Sequence, residues 1–181
     1  MTDIAVQNAS VGASTVRLAA QGDEAAFARL VVEHRAAMAR VAFVICGDPE
    51  ATRDAVQSAW TIAWRRLHTL RDQDQIQAWL IAIAANEARQ AMRAKRRRPV
   101  VDISSTIQSG DREDPADLIE LVDLQRALAR LGPDDRRLLA LRFVAGFDSA
   151  EIAHLTGISA SGVRSRLARL IARLRTDIDH D

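Results

Sequence analysis

The 181-residue chain reads as an all-α protein: two small helical domains joined by a flexible linker, with a C-terminal helix-turn-helix. Three observations predict this. Apolar residues recur at three- and four-residue steps through most of the chain, with no strand alternation. Residues 99–114 are Ser-, Asp- and Gly-rich and lose that period. Ser149 to Arg175 has the small-residue, glycine and arginine spacing of two helices meeting at a tight turn.

Residues 1–20 are small and polar and read as a disordered or partly helical arm. From Asp23 a helix is predicted, with Phe27, Leu30, Val31, His34, Met38, Val41 and Ile45 on its apolar side and Gly47 ending it. Asp48-Pro49 opens the next, Asp as N-cap and Pro at the first helical position. Val56, Trp60, Trp64 and Leu67 line its apolar side. After the polar interruption Arg71–Gln75, a third helix carries Ile76, Trp79, Leu80, Ile83 and Ala84, then runs into Arg89, Arg93, Lys95, Arg96, Arg97 and Arg98 before Pro99.

The second helical block starts at Asp114-Pro115, another N-cap followed by proline. Leu118, Leu121, Leu124, Leu128 and Leu131 lead to Gly132-Pro133. Leu138, Leu139, Leu141 and Phe143 make the following helix, closed by Gly146. Asp148 and Glu151 have the spacing of a capping box. The predicted boundaries are 1–20 for the arm, 21–98 for the first domain, 99–116 for the acidic linker and 117–177 for the second domain.

In the helix-turn-helix, Ala153 is small where two helices approach, Gly157 supplies the turn with φ > 0, and Val163 packs the second helix back on the first. Ile152, Leu155 and Ile158 complete the seam. At 100° per residue, Val163, Leu167, Leu170, Ile171 and Leu174 share one face of the second helix. Ser161, Ser165 and Arg169 take the opposite face, and Arg164, Arg166 and Arg173 flank the seam. Ser and Arg at such positions suit phosphate contacts and bidentate contacts to guanine edges, as in helices that enter the major groove.

The net charge of +1 conceals segregation. Residues 21–98 hold 13 basic and 9 acidic side chains, residues 99–123 hold 1 and 7, and residues 124–175 hold 10 and 4. Two basic blocks separated by an acidic strap suit two units that face nucleic acid. The run Arg93 to Arg98 has more cations than a helix C-terminus needs, which makes it a phosphate-binding candidate.

Composition excludes other classes. No apolar run reaches the roughly 18–20 residues of a membrane span, and the N-terminus lacks a secretory pattern, so a cytoplasmic protein with no membrane insertion of its own is expected. The single Cys46 excludes an intramolecular disulfide. The four histidines have no metal-ligand spacing, and no nucleophile–base pattern is visible. Neither metal, cofactor nor enzymatic activity is expected.

Two segments, in order, add a family resemblance. Thr52-Arg-Asp-Ala-Val-Gln-Ser-Ala-Trp-Thr-Ile-Ala-Trp64 resembles the AEDLVQETFLRAW signature of bacterial sigma factors, and Gln77-Ala-Trp-Leu-Ile-Ala-Ile-Ala-Ala-Asn86 resembles their PWLYRIARN segment. Gly162-Val-Arg-Ser-Arg166 is similar to their GTVKSR. The short linker resembles that of the extracytoplasmic-function group. The resemblance covers about residues 23–98 and 117–176.

It implies a division of labour. Asp54, Gln57, Trp60 and Trp64 would bind the clamp helices of the RNA polymerase largest subunit. Asp72, Gln73, Gln75 and Gln77, with Trp79 and Asn86, would capture a flipped base of the −10 element. Arg89, Arg93, Arg96 and Arg97 would hold upstream duplex phosphates. Ser161, Arg164, Ser165, Arg166 and Arg169 would enter the −35 major groove, and the second domain would also rest on the polymerase flap. The acidic linker would thread the RNA exit channel. An anti-sigma factor covering the polymerase-binding faces is implied as a further partner.

The sequence departs from the family at Ser58, where Glu is usual, at Gln77-Ala78 before Trp79, at Glu87-Ala-Arg-Gln-Ala91, and at Ser161-Gly162, where Gly-Thr is usual. The alternative is a stand-alone helix-turn-helix regulator that binds DNA as a dimer on a palindrome.

Overall fold

The computed structural model describes residues 13–97, 124 and 126–179, and among these there is helix and turn but no strand. Residues 1–12 of the predicted arm, Arg98, the predicted linker and the Asp114-Pro115 helix start lie outside the described residues. Residues 13–20 form α1, with Val16 and Ala19 buried in a cluster with Ala26, Leu30 and Leu67.

Local chemistry sets the helix ends. Helix α2 is Glu24–Cys46: the Asp23 side chain accepts from the Ala26 N–H at 2.8 Å, and Gly47 ends it with φ of 69°. Helix α3 is Pro49–Arg66, capped by Asp48, which accepts from the Ala51 N–H at 3.0 Å. Each cap contributes about 1 kcal/mol. Short 3₁₀ turns at Leu67–Thr69 and Gln73–Gln75 lead into α4, Ile76–Arg97. Helices α2, α3 and α4 pack against one another in all three pairings.

The face that α3 buries differs from the expected one. Thr52, Ala55, Ala59 and Ala63 are buried, whereas Val56 and Trp60 are half-buried and Trp64 is exposed. Three helices approach closely only where side chains are small, so the alanine stripe takes the centre and the indoles move to the rim. In α4 the buried set is Leu80, Ile81, Ala84, Ala85, Ala88 and Met92, with Ile76, Trp79 and Ile83 at its edge.

The second half has α5 (126–130), α6 (Pro133–Leu139), α7 (Ser149–Thr156) and α8 (Ala160–Asp179). Helix α6 passes directly into a π turn, Ala140–Val144. That turn carries Phe143 out to solvent, 61% exposed, although its spacing had placed it with the core residues Leu138, Leu139 and Leu141. Leu131, Leu138, Leu141, Ile152 and Val163 are fully buried.

The two halves pack together. Helix α6 touches both α2 and α4, and one apolar cluster runs from Val41, Ile45, Ile81 and Ala85 to Leu131, Leu138, Ile152 and Val163. Arg136 is buried and donates from Nη1 to the Cys46 carbonyl at 3.4 Å, next to the C-cap of α2.

Within α2, His34 is buried and its pKa is lowered: burial disfavours the imidazolium, and Glu33 only partly opposes this. The unfolded chain therefore binds the proton more readily. Stability should be fullest above about pH 6.5 and fall as pH drops from there toward the depressed folded value. Denaturant midpoints at pH 7.5 and 5.0 should differ more for the natural protein than for His34→Gln; equal differences would refute this.

Candidate nucleic-acid interface

The helix-turn-helix is built from local signals. Asp148 accepts from the N–H groups of Ala150 and Glu151 at 2.7 and 2.9 Å, and Glu151 returns a bond to the Asp148 N–H at 2.7 Å. The N–H bonds of Glu151 and then Ala150 hold the Asp148 carboxyl below its ordinary pKa. Helix α7 ends at Gly157, where φ of 74° provides the left-handed turn. Arg137, buried beneath it, donates from Nη2 to the Leu155 carbonyl at 3.0 Å and satisfies the helix end. The Ser159 hydroxyl accepts from the Gly162 N–H at 3.1 Å and opens α8.

Helix α8 presents two faces. Val163, Leu167 and Leu170 are buried, and Ile171 and Leu174 are half-buried. Ser161, Arg164, Ser165 and Arg169 are exposed together, a hydroxyl and guanidinium surface. Arg166 differs from them: its Nε donates to Asp135 Oδ1 at 2.7 Å, and it is half-buried. This pair ties α8 to α6.

In the first half, Asp72, Gln75 and Gln77 are exposed around the second 3₁₀ turn and Gln73 is half-buried; Asp72 accepts from the Asp74 N–H at 3.1 Å. Trp79 and Asn86 line a polar cleft of about 590 Å³ with Ile83 and Arg89. Its other wall comes from the second half: Arg137, Leu155 and Thr156. Arg89 donates to Asn86 Oδ1 at 3.1 Å and to Asp134 Oδ1 at 3.2 Å. Arg93 lies 3.6 Å from Asp134 Oδ2, and Arg96 donates to the Leu131 carbonyl at 2.9 Å. Arg97 is exposed.

A third surface lies on α3. Asp54 and Gln57 are exposed, and the rings of Trp60 and Trp64 meet Phe27 edge-on at centroid distances of 5.7 and 4.8 Å. Beside Trp64 an open apolar depression of about 510 Å³ is lined by Phe27, Ala28, Val31 and Val32. Val32 is 74% exposed. Among the described residues no group of His, Cys, Asp and Glu side chains could hold a metal ion, and no helix is long and apolar enough to cross a membrane.

Sequence reasoning missed four polar residues that organise these surfaces: Asp134, Asp135, Arg136 and Arg137. Their charges were visible, but their partners come from distant parts of the chain or are backbone carbonyls. Burial lowers the pKa of both arginines, with Arg96 adding to the effect at Arg136 and Arg89 at Arg137.

Residues 30–98 match the family described as Sigma-70 region 2, and residues 121–174 match Sigma-70, region 4. The chain is 32% identical over 163 residues to the ECF RNA polymerase sigma factor SigL of Mycobacterium tuberculosis, covering 87% of this chain and 91% of that one. It is 31% identical to the probable RNA polymerase sigma factor RfaY of Xanthomonas campestris pv. campestris over 88% of this chain, which spans only 42% of that longer protein. The structure of CnrH in complex with the cytosolic domain of CnrY superposes with a TM-score of 0.69 at 26% identity, covering 94% of this chain and 98% of CnrH.

Proposed function

The chain belongs to the sigma-70 family of RNA polymerase sigma factors, in its extracytoplasmic-function group, and from that premise we propose how its surfaces divide the work of transcription initiation. The exposed face of α8 docks in the −35 major groove through Ser161, Arg164, Ser165 and Arg169. The observation that carries this is that they are exposed together opposite a buried seam, at the right place on the second helix of a helix-turn-helix. Arg166 has its strongest partner inside the protein, so it positions α8 and adds charge at the groove edge.

The polar turn Asp72–Gln77, with Trp79 and Asn86, takes the −10 element. An indole and an amide in one cleft suit an unstacked base, held by stacking and by hydrogen bonds to its edge. Arg89, Arg93, Arg96 and Arg97 hold duplex phosphates upstream of it. The exposed strip of Asp54, Gln57 and Trp64, with Trp60 at its root, binds the polymerase clamp, and the apolar depression beside Trp64 widens that surface. Exposed Phe143 and Val144 suit the flap. The proposed units are 21–98 and 117–177, joined by the acidic segment 99–116. The chain performs no chemistry of its own and works where the polymerase does, in the cytoplasm. As CnrH is held by the cytosolic domain of CnrY, an anti-sigma partner would cover the polymerase-binding surface here.

Trp64 tests the polymerase surface. Trp64→Ala should weaken binding to core RNA polymerase by about tenfold or more, as loss of a central aromatic does, while leaving the far-ultraviolet circular dichroism unchanged. A folded variant that binds core normally would remove α3 from the interface. The dimeric-regulator alternative predicts a two-to-one complex with palindromic duplex in the absence of polymerase; the sigma reading predicts a single chain acting in a polymerase complex.

A further inference from the structure

Helix α6 grips the helix-turn-helix at two points. Arg137 lies beneath α7 and donates to the Leu155 carbonyl at 3.0 Å. Two residues earlier, Asp135 accepts from Nε of Arg166 on α8 at 2.7 Å. The two bonds differ in setting. Arg137 is buried, whereas the Asp135–Arg166 pair is only partly covered, with side chains 23% and 35% exposed. Helix α8 does not depend on that pair for its seat. Val163, Leu167 and Leu170 are buried in the apolar cluster that holds Leu138 and Ile152.

The pair has a particular geometry. Asp135 takes the Nε–H, at the root of the guanidinium fork, and that bond engages one of its five N–H donors. The other four belong to the two Nη groups, at the outer end of a partly exposed side chain. A carboxylate on Nε fixes the plane of the fork, so less side-chain freedom is lost when the Nη groups meet a second acceptor. At 100° per residue, Arg166, Arg169 and Arg173 fall within about 60° of one another on one edge of the exposed face of α8. Backbone phosphates border a helix that enters the groove, and contacts to them fix its register. An acid at such an edge opposes a polyanion through space. The same acid, acting through the Nε of an arginine, pre-orients a phosphate contact.

We propose that Asp135 is a positioning residue for −35 recognition: it holds Arg166 so that the Nη groups meet one backbone phosphate at the edge of the major groove. Arg166 is then a phosphate clamp, and base reading falls to Arg164 and Arg169. The inference rests on the −35 reading of α8.

The test uses the full chain assembled with core RNA polymerase, on a promoter fragment that the natural complex transcribes in a −35-dependent way. Each phosphate along the −35 element is replaced in turn by a neutral methylphosphonate, and binding is measured. The clamped phosphate is the one whose replacement weakens the natural chain several-fold and leaves Arg166→Gln unaffected. Asp135→Asn should lose sensitivity at that same phosphate and keep it at the others. It should also bind the unmodified fragment about three- to tenfold more weakly, a fraction of a charge-assisted hydrogen bond. The slope of log affinity against log salt should become shallower by up to about 0.9, the share of one phosphate. Asp135→Glu should restore part of each effect. Arg166→Lys keeps the charge without the fork, so it should lose the same sensitivity, and adding Asp135→Asn to it should change little more. An Asp135→Asn variant that melts as a folded protein and binds as tightly as the natural chain, or more tightly, would overturn the proposal. So would uniform weakening with full sensitivity kept at the clamped phosphate, the mark of a purely structural brace. Absence of any −35-dependent fragment would instead remove the reading on which the proposal rests.

Discussion

Alanine at Arg164, Arg166 and Arg169 together is expected to lower transcription from a −35-dependent promoter by about a hundredfold. Each arginine that meets a base edge or a nearby phosphate is worth about 1–3 kcal/mol, and a loss of about 3 kcal/mol in all corresponds to that factor. The three do not contribute alike. Arg164 and Arg169 are exposed, so their removal should change stability by no more than about 0.5 kcal/mol and should act on DNA alone. Arg166 holds Asp135 at 2.7 Å, so its removal also leaves a half-buried carboxylate without its partner. Arg164→Ala with Arg169→Ala should therefore lose most of the promoter output at an unchanged melting temperature, whereas Arg166→Ala should lower both. Unchanged output from the triple variant in a reconstituted transcription assay would remove α8 from the −35 contact.

Ile152→Ala should be among the most damaging single truncations in the second half. Ile152 is 0% exposed and sits in the cluster that runs from the first half into the helix-turn-helix. Removing its outer carbons costs the transfer energy plus the cavity left behind, about 2–5 kcal/mol. That is a large share of the roughly 5–15 kcal/mol that holds a domain folded, and it corresponds to a fall in melting temperature of roughly 5–15 °C. Phe143→Ala is the matching control. Both residues lie on the apolar side of a helix in the sequence pattern, yet Phe143 stands in solvent on the π turn and its loss should be nearly neutral. Calorimetry of the two variants separates them; equal losses would contradict the burial described for Ile152.

What was legible in the sequence was local. Asp23, Asp48 and the Asp148–Glu151 pair satisfy N–H groups within three residues of themselves, and Gly47 and Gly157 end helices by their own backbone freedom. Such features need no knowledge of the rest of the fold. The exposed serines and arginines of α8 were legible for the same reason, because helical angle alone separates them from Val163 and Leu167. The core of α3 was not. Spacing nominated its large residues, and the close approach of α2 and α4 selected Ala55, Ala59 and Ala63 instead. The π turn was equally hidden, because one extra residue in a turn leaves the apolar pattern almost unchanged. Asp134 and Asp135 meet arginines 45 and 31 residues away, a pairing that only the packing of the halves creates. The two buried arginines at 136 and 137 run against the usual preference of arginine for the surface, and they are tolerated because carbonyl oxygens at Cys46 and Leu155 receive them.

The second half engages the arginine face of α4 and walls the cleft with Trp79 and Asn86, while Arg164, Ser165 and Arg169 of α8 are exposed.

The central claim, that this chain directs RNA polymerase to promoters through both halves, is tested most directly by run-off transcription with purified core RNA polymerase on a library of promoter fragments. The account predicts tight association with core and transcripts that require both a −35 and a −10 sequence. A folded chain that fails to associate with core, and instead binds palindromic duplex as a dimer, would contradict it.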